Sequence, residues 1–190
     1  MSTLPFGVSM IDTALNFVVH ELNSFLRARL GSTDLVAVLS GLSAMDGSAL
    51  PVFEGKLVVT LVNIGQETTA PAPGIPVRTS GGGYAGAPAP LHLNLYVMMS
   101  ASFDHYAEGL KVLSYVLGYF QARPAFDAQS GPGFPTGLDK LSCELVNLST
   151  QELHNVWTVL GARYRPSALY KLRMVTRQQD GPGTVMPAIG

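Results

Sequence analysis

The stretch Leu91 to Phe120, LHLNLYVMMSASFDHYAEGLKVLSYVLGYF, changes its hydrophobic period halfway along, and that change limits what the chain can fold into. Leu91, Leu93, Leu95, Val97 and Met99 alternate with His92, Asn94, Tyr96, Met98 and Ser100, the period of a strand with one face inward. Tyr106, Leu110, Leu113, Leu117 and Phe120 then recur at helical spacing, so the second half predicts a helix laid on a sheet, capped by Asp104 or a neighbour. A strand that runs into a helix over so short a turn commits the chain to a helix-on-sheet layer.

The flanking sequence supplies the rest of that layer. Ser9 and Asp12 read as an acidic capping box, followed by a helical face of Ile11, Leu15, Val18, Leu22, Phe25 and Leu26. Arg27 and Arg29 suit the last turn and Gly31 suits C′, which gives a helix over Met10 to Leu30. Leu35 to Ser40 predicts a short strand, and Lys56 to Ile64 a central one with apolar residues on both faces. Lys140 to Asn147 predicts a strand with Leu141, Cys143 and Leu145 inward. Ser149 and Glu152 form a better capping box, opening a helix with Leu153, Val156, Trp157 and Leu160 on one side and Gly161 at its end. Ala168 to Thr176 alternates as the last strand. Together these predict an α+β fold with one mixed or antiparallel sheet of about five strands and three helices packed on it.

Two stretches cannot fill a core. Thr68 to Pro90 holds five prolines and five glycines, with Gly81, Gly82 and Gly83 in a row, and so reads as an arm projecting between two good strands. Ala125 to Gly137 reads as an irregular loop, and Arg177 to Gly190 as a tail on a single domain whose core spans about residues 10–177.

Composition bears on function because only 13% of the 190 residues are charged while 47% are hydrophobic. An ordinary soluble domain has roughly 25% charged residues, so either other chains cover part of this surface or the monomer is unusually apolar. The best apolar run, Leu110 to Phe120, carries Lys111 and is too short to span a bilayer, and Met1 to Val8 lacks the pattern of a signal peptide. Assembly in the cytoplasm is the expectation. A net charge of −1 without a basic stripe predicts no nucleic-acid partner.

No catalytic or cofactor constellation emerges. His20, His92, His105 and His154 are scattered, with no metal-ligand spacing among them. Cys143 is alone and mid-strand, and Gly41-Leu-Ser-Ala-Met45 lacks the second glycine of a nucleophile elbow. The Gly81–Gly83 run lacks the lysine and following helix of a phosphate loop. Neither an enzyme nor a bound cofactor or metal is expected.

Four ordered blocks carry a family resemblance: SMIDTALNFVVHELNSFL, KLVVTLVNIGQE, the stretch from Leu91 into QARPAF, and LSCELVNLSTQELHNVWTVLGARYRPSALYKLRMVT. Together they resemble the tail-terminator (cap) proteins of phage-tail-like contractile injection systems of the antifeeding-prophage type, over nearly everything from Met10 to Gln178. The resemblance implies a homo-hexameric ring on the distal end of the inner tube and sheath, which ends their polymerisation and holds the last sheath layer. Inner-tube and sheath proteins would be its partners, in a particle later released or anchored. A small adaptor of the same particle, bound to baseplate or tape measure, is the other role considered. On either reading the interface candidates are Gly81, Gly82, Gly83 and Tyr84 in the arm, Tyr96 and Met98 on the second strand face, Tyr115 and Tyr119 beside the helix stripe, and Arg177, Val185 and Met186 in the tail.

Overall fold

A computed structural model describes residues 10–34, 36–43, 53–67, 76–78, 84–86, 91–131, 133–176 and 185–186. Ser9, Gly81, Gly82, Gly83 and Arg177 lie outside the described residues. The first element, α1 (Met10–Leu30), has the predicted bounds. It buries Ala14, Leu15, Phe17, Val18, Leu22 and Leu26, so the apolar stripe read from the sequence is the packed one. At its end Gly31 takes φ 64°, and the Ser32 N–H donates to the Arg27 carbonyl at 3.2 Å, which closes the helix as a Schellman turn.

The main sheet has six strands: β1 (Ala37–Leu39), β2 (Lys56–Gln66), β5 (Leu91–Ser102), β6 (Ala125–Asp127), β7 (Leu138–Val146) and β8 (Ser167–Thr176). Their order across the sheet is β1-β2-β5-β8-β7-β6, with β1 parallel to β2 and every other pair antiparallel. The sheet is therefore mixed. Two further strands, β3 (Pro76–Arg78) and β4 (Tyr84–Gly86), lie within the predicted arm, and β9 (Val185–Met186) lies in the predicted tail. These three form a separate sheet in the order β3-β4-β9, in which Tyr84 pairs with Met186 and Ala85 with Val185. Arm and tail, far apart in sequence, thus meet.

Helices cover both faces of the main sheet. On one face α1 and α2 (Tyr106–Ala122) enclose the larger core with Leu57, Val59, Leu95, Val97, Met99, Leu141 and Leu172. On the other, α3 (Thr150–Leu160) sets Trp157 against Leu42, Phe53 and Val58. The Ser149 hydroxyl accepts from the Glu152 N–H while the Glu152 carboxylate accepts from the Ser149 N–H at 2.8 Å, the predicted capping box. Gly161 ends this helix at φ 62°.

Helix α1 runs across the strands rather than along them. Phe17, nearer its start, packs edge-on to Phe126 of β6 and to Phe134, with centroids 5.5 and 5.4 Å apart. Asn23, further along the helix, binds the β1 strand at the opposite edge. Twenty-one residues make a helix about 30 Å long at about 1.5 Å per residue. That exceeds the roughly 24 Å spanned by six strands spaced about 4.8 Å apart.

The structure corrects the reading of α2. Its buried face is Gly109, Val112, Leu113, Val116, Tyr119 and Phe120, whereas Tyr106, Leu110 and Leu117 of the expected stripe are 66%, 41% and 39% exposed. Gly109 explains the choice of face: a β-carbon there would lie only 3.3 Å from Cβ of Ala101, so the helix seats on β5 along the line where it has no side chain. The N-cap is His105, the neighbour of Asp104, and it makes no side-chain cap bond.

Candidate assembly interface

The candidate residues from the sequence separate once they are placed. Met98 is 0% exposed: it faces the α3 side between Thr60 and Leu169 of the neighbouring strands, so packing inside the subunit occupies it. Tyr119 is 4% exposed and sits among Phe25, Phe120 and Phe126, with its hydroxyl 3.3 Å from a Glu21 carboxylate oxygen. Burial and the Glu21 charge push its pKa up to about 12. Neither side chain offers surface to another chain. Tyr115 is half-buried against the larger core, under the Lys111 ammonium. Tyr96 is half-buried on the α3 side of the sheet. Tyr84, Val185 and Met186 come together in the small sheet.

Where α3 does not reach, the sheet carries polar side chains in cross-strand rows. One row is Tyr96, Lys171 and Glu144, and the Lys171 Nζ lies 2.8 Å from Glu144 Oε2. This ammonium holds the Glu144 carboxyl below its ordinary pKa. The next row is Asn94, Arg173 and Ser142; Arg173 donates through Nε and Nη2 to Glu67, and the Asn94 amide donates to the same oxygen at 3.4 Å. These pairs fix the side chains of an exposed sheet face.

The two edges of the main sheet differ. At β1 the Asn23 carboxamide supplies what a further strand would: Oδ1 accepts from the Val36 and Ala37 N–H groups, each at 2.8 Å, and Nδ2 donates to the Ala37 carbonyl at 2.7 Å. A side chain from α1 thus caps the start of this edge, at Val36 and Ala37. At the opposite edge β6 pairs with β7 only over Lys140–Ser142, and the Cys143 N–H is met by the Pro124 carbonyl at 2.8 Å. Among the described residues no strand continues that pairing past Cys143, and Leu145, expected inward with Leu141 and Cys143, is instead exposed there. Cys143 itself turns inward, and burial pushes its thiol up to about 12.

Two clefts open at the surface. One, of about 500 Å³, lies among Phe53, Glu54, Asp104, Tyr106, Tyr164 and Arg165; a hydrogen bond with Asp104, and its charge, raise the pKa of Glu54. The other, of about 530 Å³, is bounded by Asp127, Phe134, Pro135, Leu138 and Asp139. Among the described residues no three His, Cys, Asp or Glu side chains come together as a metal set, and no described helix is long and apolar enough to cross a membrane.

Helices on both faces of a mixed sheet, with one edge capped in part by a side chain and the other partly open, define an α+β module of three layers. A family model described as the Pvc16 N-terminal domain matches residues 15–190, and the chain belongs to this family. Among solved structures, it is similar to the sheath and tube terminator of the extracellular contractile injection system PVC in the extended state. That match has a TM-score of 0.59 at 17% identity and covers 100% of this chain and 62% of the other. It is also similar to the tube-terminating cap of the anti-feeding prophage, with a TM-score of 0.55 at 18% identity over 90% of this chain and 57% of that one. The chain therefore spans about three-fifths of the length of these structural relatives. No curated protein matches.

Proposed function

We propose that this chain is the structural terminator of a contractile injection particle. It forms a hexameric ring on the distal end of inner tube and sheath, stops their growth and holds the last sheath layer, without catalysing a reaction. The observation that carries the reading is the whole-chain likeness to a sheath and tube terminator, together with membership of the Pvc16 N-terminal domain family. Physically, a terminator has to bind one end of a polymer without presenting a copy of that end on its far side. Unequal sheet edges suit such a role, since the Asn23 carboxamide blocks strand addition at the start of β1 while the outer part of β7 stays open. The small sheet joining the 68–90 arm to the tail contacts tube, sheath or the neighbouring subunit, and assembly takes place in the cytoplasm.

Negative-stain imaging of particles from a strain lacking this chain tests the role. Tubes and sheaths of uncontrolled length are expected; normal length with a missing baseplate would instead indicate an adaptor. A chain lacking both residues 68–90 and 177–190 should fold and fail to restore length control, and restored length would remove the arm and tail from the contact.

A further inference from the structure

Among the described residues, the outer edge of β7 has no partner strand beyond Cys143, and the surface beside it is apolar. The Cys143 N–H points outward, to the Pro124 carbonyl, and backbone direction alternates along a strand, so the N–H and C=O of Leu145 point outward as well. No described backbone group meets them. The Leu145 side chain lies on the α2 side of the sheet, directly across from Tyr170, whose ring is 4.8 Å from that of Phe120. Leu110 and Leu117, which share one flank of α2, are exposed too. That flank faces away from α1, because Tyr119 on the opposite flank packs on Phe25. An open ladder beside an apolar strip is complementary to an extended segment with apolar residues at every second position.

Leu4-Pro5-Phe6, ahead of α1, has that pattern. In an antiparallel pairing with Phe6 opposite Leu145, the N–H groups of Leu4 and Phe6 face β7, and both side chains fall on the α2 side. Pro5 then turns its nitrogen to the outside of the ladder, where no N–H is needed. Gly7 lets the chain turn off the ladder before Pro124. The chain's own segment cannot reach this edge. Met10 is seated at Gly137, its Cε 3.6 Å from where a β-carbon would stand. Leu145 lies eight residues beyond Gly137, about 27 Å at about 3.4 Å per residue, whereas Phe6 is four residues from Met10, about 14 Å. We infer that, in the ring, residues 4–6 of one copy add a short strand to the outer edge of β7 in the next. The donor is a second copy of this chain. Each copy gives a segment at one surface and receives another elsewhere, the heterologous contact from which closed rings are built. This inference rests on the ring proposed above and assigns the open edge to it.

Disulfide trapping in the full chain tests it, with native mass spectrometry of the wild type alongside. In a Cys143→Ala background, Phe6→Cys/Leu145→Cys should oxidise to covalent multimers up to the closed ring, and either substitution alone should not. Two further variants should keep the wild-type circular dichroism and weaken assembly at least tenfold: a chain lacking residues 2–8, which retains Ser9 ahead of α1, and Leu145→Glu, placed at an exposed position. A cross-link confined within monomers would overturn the exchange between copies. Wild-type rings, with no cross-link and with both variants assembling equally well, would overturn the contact and leave the ring intact. If Leu145→Glu rings then failed to control particle length, the edge would belong to a tube or sheath strand instead. A wild type that stays monomeric would overturn the ring, and the contact with it.

Discussion

Replacing Asn23 tests how the β1 edge is held. Its carboxamide is 6% exposed and makes three bonds of 2.7–2.8 Å to the backbone of Val36 and Ala37. Asn23→Leu keeps the branched shape of the side chain and removes all three, leaving two N–H groups and one carbonyl at a covered edge. A buried backbone group without a partner costs about 1–3 kcal/mol. Edge groups can recover some water, and the leucine contributes apolar burial, so the loss should be about 3 kcal/mol in total. That is a large part of the roughly 5–15 kcal/mol by which domains are stable. Urea unfolding followed by circular dichroism measures it, with a lower midpoint and an unchanged slope expected. Hydrogen exchange supplies the local check: the Val36 and Ala37 amides should lose protection while those of β5 keep theirs relative to global stability. A loss below about 1 kcal/mol, or unchanged exchange at both amides, would refute the idea that this side chain stands in for a strand.

Other perturbations follow from particular contacts. Ser149→Ala removes the α3 cap and should lower stability by about 1 kcal/mol in the same assay; Ser149→Asp should lose less. Gly109→Leu forces a side chain where even a β-carbon meets Ala101 at 3.3 Å, and should cost about 2–3 kcal/mol by thermal unfolding. Cys143 should resist a thiol reagent in the native protein and react fully in denaturant, because it is buried and its pKa is raised to about 12. Alkali should destabilise the fold through the same group and through Tyr119 and Tyr170, all raised to about 12. Raised folded pKa values favour the protonated native state, so this stability is complete below the ordinary values of 9.0 and 10.0 and is lost as pH climbs to about 12. Denaturant midpoints measured across that window should fall, and Cys143→Ala should lessen the fall.

Local rules governed what could be read in advance. The bounds of α1, the Ser149–Glu152 box and the inward face of β7 at Leu141 and Cys143 depend on caps and periodicity, which are written into adjacent residues. The α2 stripe is different, since apolar residues occur nearly all round that helix and only the close approach at Gly109 selects a face. Met98 misleads for a related reason: alternation marks a second face on β5, but whether another layer covers it depends on where α3 packs, far along the chain. Strand β6 hid inside a loop because three residues suffice once β7 is there to pair with. Among the assembly candidates, the two that proved buried, Met98 and Tyr119, were chosen from faces that tertiary packing reassigns. Asn23 could have been noticed as a polar residue beside Leu22 and Leu26 on a packed stripe, yet its partners lie thirteen and fourteen positions away.

The crosswise path of α1 also has a mechanical consequence. A sheet pulled at its two outer strands is loaded across its hydrogen-bonded ladders, which can open one strand pair at a time. Here a single helix is fastened near one rim through Phe17 and near the other through Asn23, so the rims cannot part without sliding that helix off the whole face at once. The subunit is braced like a plate with a crossbeam, and tension passed around a ring of such plates would run along helices as well as through strand pairs.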